Sequence, residues 1–245
     1  MENALYVGLS QQMVLERQME MVANNIANLN TTAFKGERPV FQEYVMQAGQ
    51  NKPVSFVLDY GVSRDSRAGV LTPTDSPFDV AMNGDGWFSV QTPNGVRYTR
   101  NGHFTMDPDG RMVTREGYAL LDDGGGEITI DQPELGTPVI GRDGTVAQGT
   151  NQIGRVGVFT FANDQQLRAA GDSLYEAPAG AAPTAANDTA QVVQGMLEGS
   201  NVQPVVEMTR MIDLQRRYQT MQNLMTSDHD LQRTAIQRLG RVNQA

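Results

Sequence analysis

Apolar residues recur every three or four positions at both ends of the chain, and every two positions through its middle. Near the N-terminus that spacing selects Leu5, Gly8, Gln12, Leu15, Met19, Val22, Ile26 and Leu29, six of the eight apolar. This is the seam of an amphipathic helix of coiled-coil type. Near the C-terminus it selects Met211, Leu214, Tyr218, Met221, Met225, Asp228, Gln232, Ala235, Leu239 and Val242. A helix over about 204–242 is roughly 57 Å long at 1.5 Å per residue. Its start is marked by Pro204, suited to a first turn, and by Ser200 and Gln203 at capping-box spacing.

From Val96 to Leu121 the chain reads as four strands separated by Asn101-Gly102, Pro108-Asp109-Gly110 and Glu116-Gly117. Such pairs supply the positive φ that tight hairpins need. Further strands are predicted at Trp87–Val90, Glu127–Ile130, Pro138–Ile140, Thr145–Gln148 and Arg155–Phe161. The small-residue stretch Ala177–Asp188 reads as a loop. The expected fold is α+β, with long N- and C-terminal helices pairing as a coiled coil and a central antiparallel β-rich domain inserted between them. The expected division is an N-terminal helix segment 1–35, an extended connection with a little strand 36–80, a β domain 81–190, a return segment 191–203 and a C-terminal helix 204–245.

Composition narrows the function more than the fold. The 245 residues carry a formal net charge of −9. Residues 1–45 hold five acids and three bases, and residues 207–245 hold four acids and six bases, so the acid excess lies in the middle. No basic stripe is available for nucleic acid. Cysteine is absent, which removes disulfides and thiolate chemistry. No basic and apolar leader opens the sequence, and no apolar run reaches membrane-spanning length, so no membrane insertion is expected.

Candidate chemistry is thin. His103 follows a turn and His229 lies in the polar part of the last helix, neither within a catalytic motif. The runs NGDG (83–86), DPDG (107–110) and DDGGG (122–126) suggest calcium, but the ligand spacing of a calcium loop is missing and hairpin turns account for them. No enzyme, cofactor or metal site is predicted. A carbohydrate-active enzyme would need a carboxylate pair in a cleft, and a fibrous adhesin stricter heptads.

The unusual feature is helix surface without charge. Met21 to Phe34 holds no charged residue, yet Asn24, Asn25, Asn28 and Asn30 crowd the end of the first helix. Asparagine is roughly 0.5–0.7 kcal/mol per residue worse than alanine in a helix. Tyr218 to Ser227 is likewise uncharged. A solvated helix face normally carries Glu, Lys and Arg. Amides that set register across a helix interface recover the lost propensity, and several of the 13 methionines, adaptable in packing, lie in the same two segments. Both ends therefore read as interface.

Three blocks carry a family resemblance: ANNIANLNTTAFKGE, YTRNGHFTMDPDGRMVTREGYALL and LEGSNVQPVVEMTRMIDLQRRYQ. In this order they resemble the bacterial flagellar axial proteins, the rod, hook and hook-associated subunits. Length and opening residues resemble the basal-body rod members, the proximal-rod type first and the distal-rod type as alternative. The resemblance implies a structural subunit exported unfolded by the flagellar type III apparatus and polymerised into the periplasmic rod. Its implied partners are other rod subunits and copies of itself. Implied subunit contacts fall at Asn24, Asn25, Asn28, Phe34 and Lys35 on the first segment. On the second they fall at Met208, Met211, Ile212, Gln215 and Tyr218. The family has Gly immediately before Phe-Lys. Ala33 stands there in this chain, which disfavours a left-handed turn, so a different turn is expected.

Overall fold

The computed structural model describes residues 2–48, 52–130, 136–186 and 190–242, with side chains of 2–6, 46–48, 52–56, 235, 236 and 238–242 left undescribed. The chain divides into two compact units. One, the helix–ribbon unit, is assembled from residues 1–27, 37–64 and 203–245, and the other, the β unit, from 28–36 and 65–202.

In the helix–ribbon unit, helix α1 spans Glu2–Ala27 and helix α2 spans Pro204–Val242. Pro204 opens α2 as its fixed φ favours, while Ser200 Oγ accepts from Val202 N at 3.3 Å, in a turn ahead of the helix. The expected pairing of two long helices as a coiled coil is not formed. α1 has 26 residues against 39 in α2, and the fully buried seam consists of Leu15, Val22 and Leu214, bordered by Met19, Ile26, Met211 and Tyr218. The reason lies at the remaining seam positions. Gly8 and Gln12 on α1, and Asp228 and Gln232 on α2, are too small or too polar to continue knobs-into-holes packing.

The unit's third element is a β-ribbon, β1 (Glu37–Ala48) paired antiparallel with β2 (Lys52–Arg64). Residues 36–80 are thus far richer in strand than the extended connection expected there. The alternation is hidden because the register shifts between Val40 and Phe41, which face Gly61 and Asp59. Such a bulge moves every later side chain to the other face. Pro39 and Pro53 sit near the strand starts of a two-stranded ribbon, where an outward-facing N–H can be spared.

The β unit opens with β3 (Leu71–Pro73), β4 (Val80–Asn83), β5 (Trp87–Thr92), β6 (Gly95–Thr99), β7 (Phe104–Met106), β8 (Met112–Thr114) and β9 (Ala119–Leu120). It continues with β10 (Val139–Ile140), β11 (Thr145–Gln148), β12 (Asn151–Arg155), β13 (Val158–Thr160), β14 (Arg168–Gly171) and β15 (Leu174–Glu176). β16 (Thr184–Ala185), β17 (Gln191–Gln194) and β18 (Met196–Glu198) complete it. The main sheet runs β14-β15-β6-β5-β9-β8-β7, with β13 joining β5 to β16. Separate pairings link β10-β11-β12, β17 with β4, and β18 with β3.

Local turn chemistry accounts for β7–β8 and β8–β9. Asp107 Oδ1 accepts from Asp109 N at 3.0 Å and Arg111 N at 2.8 Å, and Gly110 and Gly117 have φ of 82° and 89°. Asn101-Gly102, read as another hairpin turn, is not one. β6 and β7 lie four places apart in the sheet, and the chain between them crosses beside β4. Gly102 accepts there from Val80 N at 2.9 Å, and a Cβ on Gly102 would strike the Val80 carbonyl oxygen.

The core gathers Val80, Met82, Phe88, Val90, Phe104, Met112, Leu120, Val146, Val156 and Val158 beneath these strands. A second, aromatic cluster holds Trp87, Tyr98, Leu167 and Tyr175, with Trp87 and Tyr175 edge-to-face at 4.9 Å.

Candidate assembly surface and buried junction

α1 and α2 sort the expected contact residues into two groups. Met211 and Tyr218 turn toward the short seam with Leu214, and Tyr218 Oη accepts from Gln12 Nε2 at 2.9 Å. Met208 and Ile212, 50% and 51% exposed, lie one turn apart on the open face of α2, with exposed Gln215 one turn further. Val205 and Val206 extend that apolar surface toward the start of the helix.

The asparagines divide too. Asn24 is exposed. Asn25 is 3% exposed and clamps the start of the ribbon. Its Nδ2 donates to Glu37 O at 2.9 Å and its Oδ1 accepts from Glu37 N at 2.9 Å, so the amide stands in for a strand partner. The same Nδ2 lies 3.5 Å from Glu207 Oε2. Asn28 is half-buried at the turn after α1, where its Oδ1 accepts from Thr31 Oγ1 at 3.0 Å. Phe34 is half-buried and its carbonyl accepts from Asn201 N at 3.2 Å. The turn before it corrects the expectation for Ala33, whose φ is 57°, in the left-handed region. Ala33 is held there because its N donates to Glu198 O at 2.7 Å. That bond offsets the ~1–2 kcal/mol cost of a left-handed alanine.

Lys35 leads into the most polar site of the β unit. Only 4% exposed, its Nζ donates to Glu198 Oε1 at 2.5 Å and to Arg67 O at 2.9 Å. Glu198, 1% exposed, also accepts from Gly69 N at 2.8 Å on Oε1 and from Arg100 Nε at 2.9 Å on Oε2. The Arg100 guanidinium is completed by Gly86 O at 2.6 Å and Gly84 O at 2.8 Å. The NGDG run therefore supplies carbonyls to an arginine.

Two cations thus share one buried carboxylate. Burial pulls Lys35 below the usual lysine range, against the bond and charge of Glu198 and with the repulsion of Arg100. Burial alone pushes Glu198 up, but Arg100, Lys35 and the Gly69 N–H outweigh it and hold the carboxyl below the usual range.

Sequence reasoning singled out Lys35 but missed Arg100, Glu198 and Asn201. The available signal was that Arg100 lies in the second of the three resemblance blocks, and Glu198 and Asn201 in the third. An isolated glutamate directly after the short uncharged run Gly195–Leu197 was the sharper hint. Elsewhere the polar groups serve turns. Asp122 Oδ1 accepts from Gly124 N at 2.9 Å and Gly126 N at 2.6 Å, and His103 Nδ1 lies 2.6 Å from Asp79 Oδ1. No helix among the described residues is long and apolar enough to cross a membrane.

Charges spent on joining chain segments, and helices that leave apolar side chains uncovered, fit a structural protein. Residues 5–35 match the flagella basal body rod protein family, 81–148 the flagellar hook protein FlgE/F/G D1 domain, and 193–238 the flagellar basal body rod FlgEFG protein C-terminal family. The chain is 47% identical over 253 residues to the flagellar basal-body rod protein FlgF of Caulobacter vibrioides, covering 99% of this chain and 100% of the relative. It is 37% identical to FlgF of Mesorhizobium japonicum, over 98% of this chain and 99% of the relative. It is 35% identical to FlgG of Buchnera aphidicola subsp. Schizaphis graminum, over 92% and 95%. The chain belongs to the flagellar basal-body rod protein family.

Proposed function

We propose that the chain is a structural subunit of the flagellar basal-body rod, of the proximal type, and not an enzyme. It is exported unfolded through the flagellar type III apparatus, and it polymerises with copies of itself and with other rod subunits in the periplasm. The observation that carries this reading is the open apolar face of α2 at Val205, Met208 and Ile212. Hydrophobic surface of that kind marks an interaction site, and repetition of a non-closing contact builds a helical polymer. Asn24, Asn28, Phe34 and Gln215 border neighbouring copies in this reading. Asn25, Lys35, Met211 and Tyr218 act beneath them, as supports.

Replacing Met208 and Ile212 together by Asp should abolish motility and remove rods from isolated basal bodies, while export and the Trp87 fluorescence of the protein persist. Wild-type motility of that double variant would refute the reading. The distal-rod alternative rests on the lower identity, 35%, to FlgG of Buchnera aphidicola. The level of this subunit in a density map of the basal body separates the two.

A further inference from the structure

The chain passes between the two units four times, at 27/28, 36/37, 64/65 and 202/203. On the β-unit side all four passages converge on the Glu198 cluster. Gly36 N donates to Asn201 Oδ1 at 2.8 Å, and Asp65 N donates to Gly36 O at 2.8 Å. Asn201 Nδ2 donates to Asp65 O at 2.8 Å and to Arg67 O at 2.9 Å, the same carbonyl that receives Lys35. The passage after α1 is tied in through the turn Thr31 N to Asn28 O at 3.2 Å and Phe34 N to Thr31 O at 3.2 Å, and then through Ala33 N to Glu198 O. A Cβ on Gly69 would strike Gly199 O, so the backbone leading into β3 and the backbone just after Glu198 meet at closest approach.

This arrangement does what the helix–ribbon unit cannot do for itself. That unit is made of three separate stretches of chain, and its helix seam buries Leu15, Val22 and Leu214 among the described residues. Bringing the ends of such stretches together costs loop-closure entropy, and a small seam offsets little of it. The Glu198 cluster joins residues 163, 129 and 98 positions apart by bonds to Lys35, Gly69 and Arg100. Burial makes these charge-assisted bonds directional and costly to leave half-made.

We propose that Glu198 is a positioning residue. With Lys35, Arg100 and Asn201 it fixes the four points at which the chain leaves and re-enters the β unit: after α1, at both ends of the ribbon and before α2. Its consequence for assembly rests on the rod-subunit reading; the positioning itself does not.

The absence of cysteine allows a clean measurement on the full chain. Paired labels at Asn30→Cys and Ala68→Cys, both exposed positions of the β unit, report the spacing of two exit points. Trp87, the single tryptophan, reports the β-unit core. The labelled protein should give one narrow distance distribution. Glu198→Gln presents an amide N–H to buried donors, and it should broaden the distribution while Trp87 emission at room temperature stays native. Asn201→Ala leaves the Lys35–Glu198–Arg100 group intact and removes only the ties to 36, 65 and 67. It should broaden the distribution as well, and both variants should lose motility.

A narrow distribution in both variants would overturn the proposal. So would loss of native Trp87 emission in Asn201→Ala, because the cluster would then be ordinary core. Broadened spacing with wild-type motility would remove its role in assembly. The rod reading fails on a different result, basal bodies whose rods are complete when this chain is deleted.

Discussion

The β unit is finished and the helix–ribbon unit is not. Of the 30 buried hydrophobic residues among those described, only Leu15, Met21, Val22 and Leu214 belong to the helix–ribbon unit. Of the 20 exposed large hydrophobics among the described residues, only Val70, Val96, Met106 and Val139 belong to the β unit. Charge divides the same way: the helix–ribbon unit has ten acids and ten bases, while the β unit has 18 acids and nine bases and so carries the whole net charge of −9. A neutral surface with uncovered apolar side chains stacks on its like without repulsion. A closed β core under an acid excess stays soluble and resists such stacking. One chain therefore combines a part built to be completed by neighbours with a part complete in itself.

Core truncation tests this contrast most severely. Phe88→Ala, at a fully buried position, should cost about 3–5 kcal/mol of β-unit stability, measured by the Trp87 denaturant transition. Leu214→Ala, in the seam of the other unit, should leave that transition where it is. A shared shift in both variants would mean that the two units unfold as one, and the contrast would fail.

A middling effect is expected at the asparagine clamp. Asn25→Leu leaves the half-buried Glu37 N and O without their amide partner, at a cost of up to about 1–3 kcal/mol for each group shielded from water. Hydrogen exchange should therefore quicken at the start of the ribbon. Asn28→Leu, whose side chain accepts from Thr31, should leave ribbon exchange unchanged. Equal effects from both would place the asparagines on one common surface instead.

The smallest effect belongs to Ala33. Ala33→Gly relieves the left-handed strain but gives up a buried methyl, worth ~0.8 kcal/mol, and adds ~0.4–1 kcal/mol of unfolded-chain entropy. The Trp87 transition should move by less than about 1 kcal/mol, the near-cancellation of these terms. A large loss would show that the methyl packing, and not the bond to Glu198 O, holds that turn.

What could be read from residues alone is what neighbours in sequence decide. Helix periodicity and Pro204 located both end helices, and the Asp-Gly and Glu-Gly turns located β7, β8 and β9, because 3.6-residue spacing and positive φ act over a few residues. The amide-rich, uncharged stretch from Met21 to Phe34 reads as an interface in the sequence, and the fold spends one of its asparagines, Asn25, inside the chain. Tertiary structure alone decided that Asn25 pairs with a strand edge, that a bulge turns 37–64 into a ribbon, and that Asn101-Gly102 crosses instead of turning. It alone joined Lys35, Arg100 and Glu198, which lie up to 163 positions apart, around a single carboxylate. The physical reason is common to all of these. Burial sets the strength of a polar bond, and burial belongs to the folded chain as a whole, so no local pattern announces which charged or amide residue will find its partner.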